Sequence, residues 1–127
     1  MRVFLVRHAE AAPGDPDELR PLTEAGRTTA RILGEKLAVE HPDAVVSSPL
    51  LRARETAKRI ARASRLDAET DSRLAPGADA QALRAAVAGR GETVVAVGHQ
   101  PDCSEIVLEL TGARVPFAPG ALLEVEL

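Results

Sequence analysis

Short runs of apolar, β-branched residues dominate the hydrophobic pattern of the chain. Residues 3–6 (Val-Phe-Leu-Val) and residues 93–97 (Thr-Val-Val-Ala-Val) are the two strongest, and such runs are typical of strands covered on both faces. Residues 44–47 and 67–70 predict two shorter strands. Residues 121–127 alternate between apolar and polar side chains at their end, which predicts a last strand at the edge of the sheet.

Four segments between these strands space their apolar residues as helices do. Thr23 is predicted to cap the first helix, and Ser48 to cap the second with Pro49 as its first residue. The third helix is expected over residues 80–88 and the fourth over residues 101–110. Strands and helices thus alternate as βαβα(β)αβαβ, which predicts a three-layer α/β/α sandwich, a mostly parallel sheet with helices on both faces.

Composition narrows the class of protein. The length of 127 residues predicts a single domain over residues 1–127. With two Phe and no Trp or Tyr, the core has to be built from Ala, Val, Leu and Ile. The scarcity of aromatic side chains argues against stacking on single-stranded nucleic acid, and the net charge of −3 argues against binding a duplex.

The lone cysteine and the amino-terminal segment bear on the compartment. Cys103 has no partner for an internal disulfide, which suits a reducing environment. The apolar run after Arg2 has four residues, too few for a signal peptide or a membrane span. We therefore expect a cytoplasmic protein without a membrane partner, and we interpret Cys103 as a packing residue.

Charged and imidazole side chains follow three of the predicted strands. Arg7 and His8 come directly after the first strand, Arg52 lies one turn into the helix after the second, and His99 follows residues 93–97. In open α/β sheets, ligands bind outside the carboxyl ends of the strands, so we expect these four side chains to converge. Guanidinium groups offer paired donors that match phosphate oxygens. The pattern therefore predicts an oxyanion site.

Four segments together resemble the histidine phosphatase (phosphoglycerate mutase-like) superfamily. Each matches a motif of that superfamily, in the same order along nearly the whole chain: residues 6–10 (Val-Arg-His-Ala-Glu), 20–26 (Arg-Pro-Leu-Thr-Glu-Ala-Gly), 47–57 (Ser-Ser-Pro-Leu-Leu-Arg-Ala-Arg-Glu-Thr-Ala) and 97–99 (Val-Gly-His). One such motif is weak evidence, but four in order are highly specific. The short length without an inserted cap resembles the SixA-type phosphohistidine phosphatases of that superfamily.

The resemblance implies a role for each candidate residue. His8 would be the nucleophile that forms a phosphohistidine intermediate. Arg7 and Arg52 would bind the phosphoryl oxygens and stabilise their charge, and His99 would donate to the same oxygens. Arg20 is a further candidate for phosphate binding if its loop reaches the site. No metal or cofactor is expected, because the guanidiniums supply the positive charge; a zinc site built on the two histidines is disfavoured, because the flanking arginines would repel the cation.

The sequence departs from the superfamily pattern in two places. Ala9 stands where the superfamily has glycine, and alanine tolerates fewer backbone conformations. The glutamate that protonates the leaving oxygen in many members has no counterpart near residues 71–77. Glu10, Asp102 or Asp79 could supply an acid from another direction. An alkoxide leaving group needs such an acid, whereas the imidazole of phosphohistidine needs it less, so the absence favours phosphohistidine as substrate.

Three functions follow as hypotheses. The first is dephosphorylation of a protein phosphohistidine in a signalling relay, with a phosphohistidine-bearing domain as partner and inorganic phosphate as product. The second is hydrolysis of a small phosphate monoester. The third is a non-catalytic phosphate-binding module, which would need the arginines but not both histidines.

Overall fold

A computed structural model describes residues 1–127. The strands are β1 (Arg2–Arg7), β2 (Ala44–Ser47), β3 (Ala68–Thr70), β4 (Thr93–Gly98) and β5 (Leu122–Glu126), and the helices are α1 (Glu24–Ala38), α2 (Leu51–Ala63), α3 (Ala80–Val87) and α4 (Asp102–Thr111). The five strands form one sheet in the order β3-β2-β4-β1-β5. Their order along the chain is the one predicted from the hydrophobic pattern.

The sheet is parallel apart from its last strand. β1 and β2 both pair with β4 in parallel, and β3 pairs in parallel with β2. β5 lies at the edge, as the alternation of its residues predicted, and it runs antiparallel to β1. In the central register Arg7 lies beside Gly98, and Ser47 lies beside Val97. The carboxyl ends of β1, β4 and β2 therefore lie side by side.

Alternate residues of the central strands contribute to two separate cores. Val3 and Leu5 of β1 pack with residues of α3 and α4 on one face. Phe4 and Val6 pack with residues of α1 and α2 on the other face. This arrangement confirms the three-layer α/β/α sandwich. The buried core consists almost entirely of aliphatic side chains, with Cys103 among them.

α1 and α2 pack closely because Gly34 lies at their contact. A Cβ at Gly34 would come within 2.9 Å of the Arg59 carbonyl oxygen and 3.1 Å of Ala63 Cβ. The close contact fixes α2, and with it Arg52, against the helix that follows the β1 loop. None of the helices combines the length and the apolar character that crossing a membrane requires.

The start of α2 differs from the prediction. The helix begins at Leu51, and Leu50 occupies the cap position without a side-chain hydrogen bond, so Ser48 is not the cap and Pro49 is not the first helical residue. The Ser48 hydroxyl instead accepts from the Leu50 amide at 3.2 Å and lies 2.7 Å from Nε2 of His99. The hydroxyl predicted to cap the helix therefore pairs with His99, a residue so distant in the chain that no local sequence pattern reveals the contact. At α1 the prediction holds, since Thr23 accepts from the Gly26 amide at 3.0 Å.

Candidate active site

Two histidines meet at the carboxyl end of the sheet. His8 directly follows β1, and its amide donates to the Gly98 carbonyl at 3.0 Å. His99 directly follows β4, and the centroids of the two imidazole rings are 5.3 Å apart. Both side chains are buried. The parallel register of β1 and β4 thus brings together two residues that are 91 positions apart in the chain.

The His8 ring is held in one tautomer. Its Nδ1 lies 2.7 Å from the Ala9 carbonyl oxygen, and a carbonyl only accepts, so Nδ1 carries the hydrogen. Burial lowers the pKa of His8 to about 4, and the charges of Arg52 and Arg7 act in the same direction. The ring is therefore neutral at pH 7, and Nε2 keeps the free electron pair that a nucleophile needs.

The Ala9 backbone that holds His8 is itself held by α2. The fully buried Thr56 hydroxyl accepts from the Ala9 amide at 3.1 Å and donates to the Arg52 carbonyl at 2.8 Å. Ala9 does not adopt a positive φ, so alanine is tolerated where the superfamily has glycine. One threonine thereby connects the His8 loop to the turn of α2 that carries Arg52.

The two arginines are anchored through their outer nitrogens. Arg52 Nη1 donates to the Asp17 carbonyl at 2.9 Å, and Arg7 Nη1 donates to the Phe117 carbonyl at 2.9 Å. Their Nε atoms are buried and have no partner. Unpaired buried donors are costly in folded proteins. The anchored arginines thus keep donors free for a group that the chain does not supply.

His99 adds a third unpartnered nitrogen. Its Nε2 pairs with the Ser48 hydroxyl, whereas its Nδ1 is buried without a partner. Burial is the main cause that lowers the pKa of His99 to about 4. Of the four buried side-chain polar atoms that lack a hydrogen bond, three belong to Arg7, Arg52 and His99. This concentration of unpaired nitrogens is the arrangement expected of a site for an oxyanion.

Asp17 is a site residue that the sequence analysis did not single out. Its Oδ2 accepts from Arg52 Nη2 at 3.2 Å, and its Oδ1 accepts from Arg20 Nη1 at 3.1 Å. Hydrogen bonds from Arg20 and Arg52 lower the pKa of Asp17, so the carboxylate stays charged. The available signal was the spacing of Asp17 three residues before Arg20, which places a carboxylate and a guanidinium in one loop directly before Pro21.

Arg20 lies at the border of the site. Its Nε donates to the Ala12 carbonyl at 2.8 Å, which ties it to the loop after β1. Its charge also contributes to lowering the pKa of His8, so the guanidinium is within electrostatic reach of the nucleophile. The loop brings Arg20 towards the site, while its role in phosphate binding stays a prediction.

The three carboxylates considered as general acids are all bound to other groups. Glu10 accepts from the Thr23 hydroxyl at 2.7 Å. Asp102 accepts from the amides of Gly77 and Ala78 at 2.8 and 3.2 Å, and Asp79 accepts from an amide in the first turn of α3. Each therefore stabilises a loop or a helix start. The assignment of a general acid to Glu10 or Asp102 stays a prediction.

Cys103 is separate from this chemistry. The side chain is buried in the core beside α3, and burial raises the pKa of the thiol to about 12. A protonated thiol is a poor nucleophile. This confirms the interpretation of Cys103 as a packing residue.

Comparison with known proteins agrees with this geometry. The family model "Histidine phosphatase superfamily (branch 1)" matches residues 3–76. The solved structure of the protein histidine phosphatase SixA, complexed with tungstate, is similar over 100% of this chain and 88% of that chain, with 30% sequence identity and a TM-score of 0.87. A phosphohistidine phosphatase SixA homolog from Haemophilus influenzae is 29% identical over 98% of this chain and 87% of its own length.

A second kind of relative acts on a different substrate. Phosphoserine phosphatase 1 of Hydrogenobacter thermophilus is 36% identical over 83 residues, which are 58% of this chain. The chain spans only 37% of the length of that protein. Similarity therefore extends to phosphatases that are named for different substrates.

Proposed function

Because this chain belongs to the histidine phosphatase superfamily, we propose that it hydrolyses a phosphoryl group from a protein phosphohistidine, with His8 as nucleophile. The observation that carries the proposal is the hydrogen bond from His8 Nδ1 to the Ala9 carbonyl at 2.7 Å. It leaves a neutral imidazole with a free Nε2, next to arginine donors that lack partners. A site that only bound phosphate would gain nothing from a nucleophile fixed in this way.

The reaction proceeds in two transfers. In the first, His8 Nε2 attacks phosphorus, the new P–N bond forms, and the bond from phosphorus to the substrate nitrogen breaks. The leaving imidazole departs neutral, since its ring carries a proton. In the second transfer a water molecule attacks phosphorus, the P–N bond to His8 breaks, and inorganic phosphate leaves. His8 returns to its neutral form and the proton of the water passes to solvent.

The side chains around His8 stabilise the transferred group. The Nε–H donors of Arg7 and Arg52 bind the phosphoryl oxygens as charge moves between them. His99 is neutral in the free protein, because burial lowers its pKa to about 4. A bound phosphoryl anion favours the protonated ring, so His99 becomes a charged donor when substrate binds. These groups supply the positive charge without requiring a metal ion.

The choice of phosphohistidine rests on two supports. Glu10, Asp102 and Asp79 are bound to other groups, and Asp17 is kept charged by two arginines, so no carboxyl group is ready to protonate an alkoxide. The similarity to SixA over the whole chain points in the same direction. The partner is then a phosphohistidine-bearing protein in a signalling relay, and the location expected for it is the cytoplasm.

A small phosphate monoester is the second candidate. The observation in its favour is the similarity to phosphoserine phosphatase 1, which is 36% identical over 83 residues. Under this alternative one of the carboxylates near the site, Glu10 or Asp102, has to release its present partners and act as the acid.

The test compares hydrolysis rates without added metal on a histidine-phosphorylated protein and on phosphoserine. We expect faster turnover of the phosphohistidine, and we expect radiolabelled phosphate to be trapped on the protein in an acid-labile bond. His8→Ala is expected to lose at least about a thousandfold in kcat. His41→Asn, at an exposed histidine outside the site, is the matched control and keeps wild-type rates.

The outcomes separate the hypotheses. Faster turnover of phosphoserine identifies the protein as a monoesterase. Full activity of His8→Ala shows that His8 is not the nucleophile. Binding of phosphate without turnover of either substrate identifies a binding module.

A further inference from the structure

The positive charge of the protein is concentrated on α1 and α2. These two helices carry eight of the 16 Lys and Arg residues of the chain but only three of its 19 Asp and Glu residues. The rest of the molecule is therefore strongly acidic. The outer side of the α1–α2 layer is a basic surface on a protein whose net charge is −3.

The basic side chains line a groove between the two helices. A cavity of about 770 Å³ is lined by Arg27 and Arg31 of α1 and by Arg59 and Arg62 of α2. We call these four residues, together with Lys58, the basic groove. Gly34 brings the two helices close together beneath it, so the groove is a fixed feature of the α1–α2 packing.

The basic groove continues towards the candidate active site. A neighbouring cavity of about 280 Å³ shares Arg59 and Arg62 with the first and extends to Leu51. Leu51 is the first residue of α2 and precedes Arg52. An α-helix rises 1.5 Å per residue, so the 13 residues of α2 form a strip about 20 Å long that begins at the phosphate-binding arginine.

The charges of the basic groove are mostly uncompensated. Arg31 alone forms an ion pair, with Glu35 at 2.8 Å. Arg59 donates to a backbone carbonyl of its own helix, and Arg27 donates to the Leu22 carbonyl. Neutral acceptors of this kind leave the guanidinium charges available, and Lys58 and Arg62 are exposed.

We propose that the basic groove docks an acidic face of the protein that carries the phosphohistidine. The inference rests on the proposed function. With the phosphoryl group at His8, the region of the partner next to its phosphohistidine lies along α2, where acidic side chains meet the exposed cations. Such complementarity speeds association and selects among partners. A protein occupant is favoured over nucleic acid, because the groove offers no aromatic side chain for stacking.

The test uses three substrates. Free phosphohistidine reports on the chemistry alone, and two phosphohistidine peptides differ only in carrying glutamate or glutamine at the flanking positions. We expect the wild-type protein to show a kcat/KM about three- to tenfold higher for the glutamate peptide, and we expect this preference to disappear in high salt, which screens exposed charges.

The variant Arg59→Glu/Arg62→Glu is expected to abolish or reverse the preference for the glutamate peptide, with unchanged kcat/KM for free phosphohistidine. Arg59→Gln/Arg62→Gln removes the charge without reversing it and should reduce the preference to an intermediate level. This variant provides the test if the two glutamates disturb the helix. Arg84→Glu, at an exposed arginine of α3 on the opposite face, is the matched control and keeps the wild-type preference.

Three results would overturn the inference. They are equal kcat/KM for the two peptides, a preference that survives in Arg59→Glu/Arg62→Glu, or single-stranded RNA binding that this variant loses while the peptides remain equivalent. If the wild-type protein does not hydrolyse free phosphohistidine, that result contradicts the proposed function instead. The two proposals can therefore fail separately.

Discussion

Asp17 is the one carboxylate hydrogen-bonded to an arginine of the candidate phosphate site. Its carbonyl and its side chain both accept from the Arg52 guanidinium, and its side chain also accepts from the Arg20 guanidinium. The carbonyl bond positions Arg52 irrespective of charge, whereas the carboxylate places a negative charge beside the Arg52 guanidinium, where the proposed function requires an oxyanion to bind. At the scale of single residues, Asp17 therefore anchors Arg52 and, under the proposed function, competes with the phosphate ligand for it.

Replacing the charge separates these two effects. Asp17→Asn keeps the main-chain anchor and removes the competing charge, so we expect inorganic phosphate to bind about three- to fivefold more tightly, in keeping with the modest strength of exposed ion pairs. Isothermal titration measures the change. Glu35→Gln, which removes an exposed carboxylate outside the site, serves as control. Weaker phosphate binding by Asp17→Asn would show that the carboxylate mainly orients Arg52.

At the scale of elements, the site depends on how α1 and α2 hold the loop after β1. Gly26 lies so close to the Glu10 backbone that a Cβ there would overlap the Glu10 carbonyl oxygen, and Thr23 caps α1 beside it. Thr56 of α2 holds the Ala9 amide on the other side. The motifs around residues 22–26 and 52–57 are thus structural supports for the His8 loop as well as sources of Arg52.

The contact between α2 and the loop can be removed with little change in shape. Thr56→Val leaves the fully buried Ala9 amide without an acceptor, so we expect the free energy of unfolding to fall by about 1–3 kcal/mol. We also expect kcat to fall, since the Ala9 carbonyl orients His8. Urea unfolding and steady-state kinetics measure the two effects. Thr56→Ser keeps the hydroxyl and should restore both; a valine variant with wild-type stability and kcat would exclude this role.

At the scale of the whole molecule, the two buried histidines of the site are expected to lower the free energy of unfolding at acid pH. Burial lowers the pKa of both His8 and His99 to about 4, whereas an unfolded chain binds these protons near pH 6.5. As the pH falls from about 6.5 to about 4, the two histidines are protonated in the unfolded state but stay neutral in the folded state. The free energy of unfolding therefore decreases across this window.

The predicted loss is on the order of a few kcal/mol for the two histidines together. Urea unfolding at a series of pH values between about 7 and about 4.5 measures it. His8→Asn/His99→Asn should flatten the dependence on pH, and His41→Asn, at an exposed histidine outside the site, is the control variant. An equally steep dependence in the double variant would assign the acid sensitivity to carboxylates instead.

Much of the fold could be predicted because its signals are local. Uninterrupted apolar runs define β1 and β4, Thr23 caps α1, and Gly112 ends α4 in the left-handed conformation. The start of α2 could not be predicted in this way. Serine is a residue type that often caps helices, but the hydroxyl of Ser48 pairs with His99, which is 51 residues away.

By itself the sequence determined the alternation of strands and helices, the family, and the four side chains expected to converge, because each depends on short-range patterns or on motifs with fixed spacing. The tertiary structure alone decided the tautomer of His8, the anchoring of Arg52 by Asp17 and the extension of the basic groove to Leu51, next to Arg52. Those features depend on distances between segments that are far apart in the chain. Only folding sets such distances, because it brings loop carbonyls and helix faces together without regard to sequence separation.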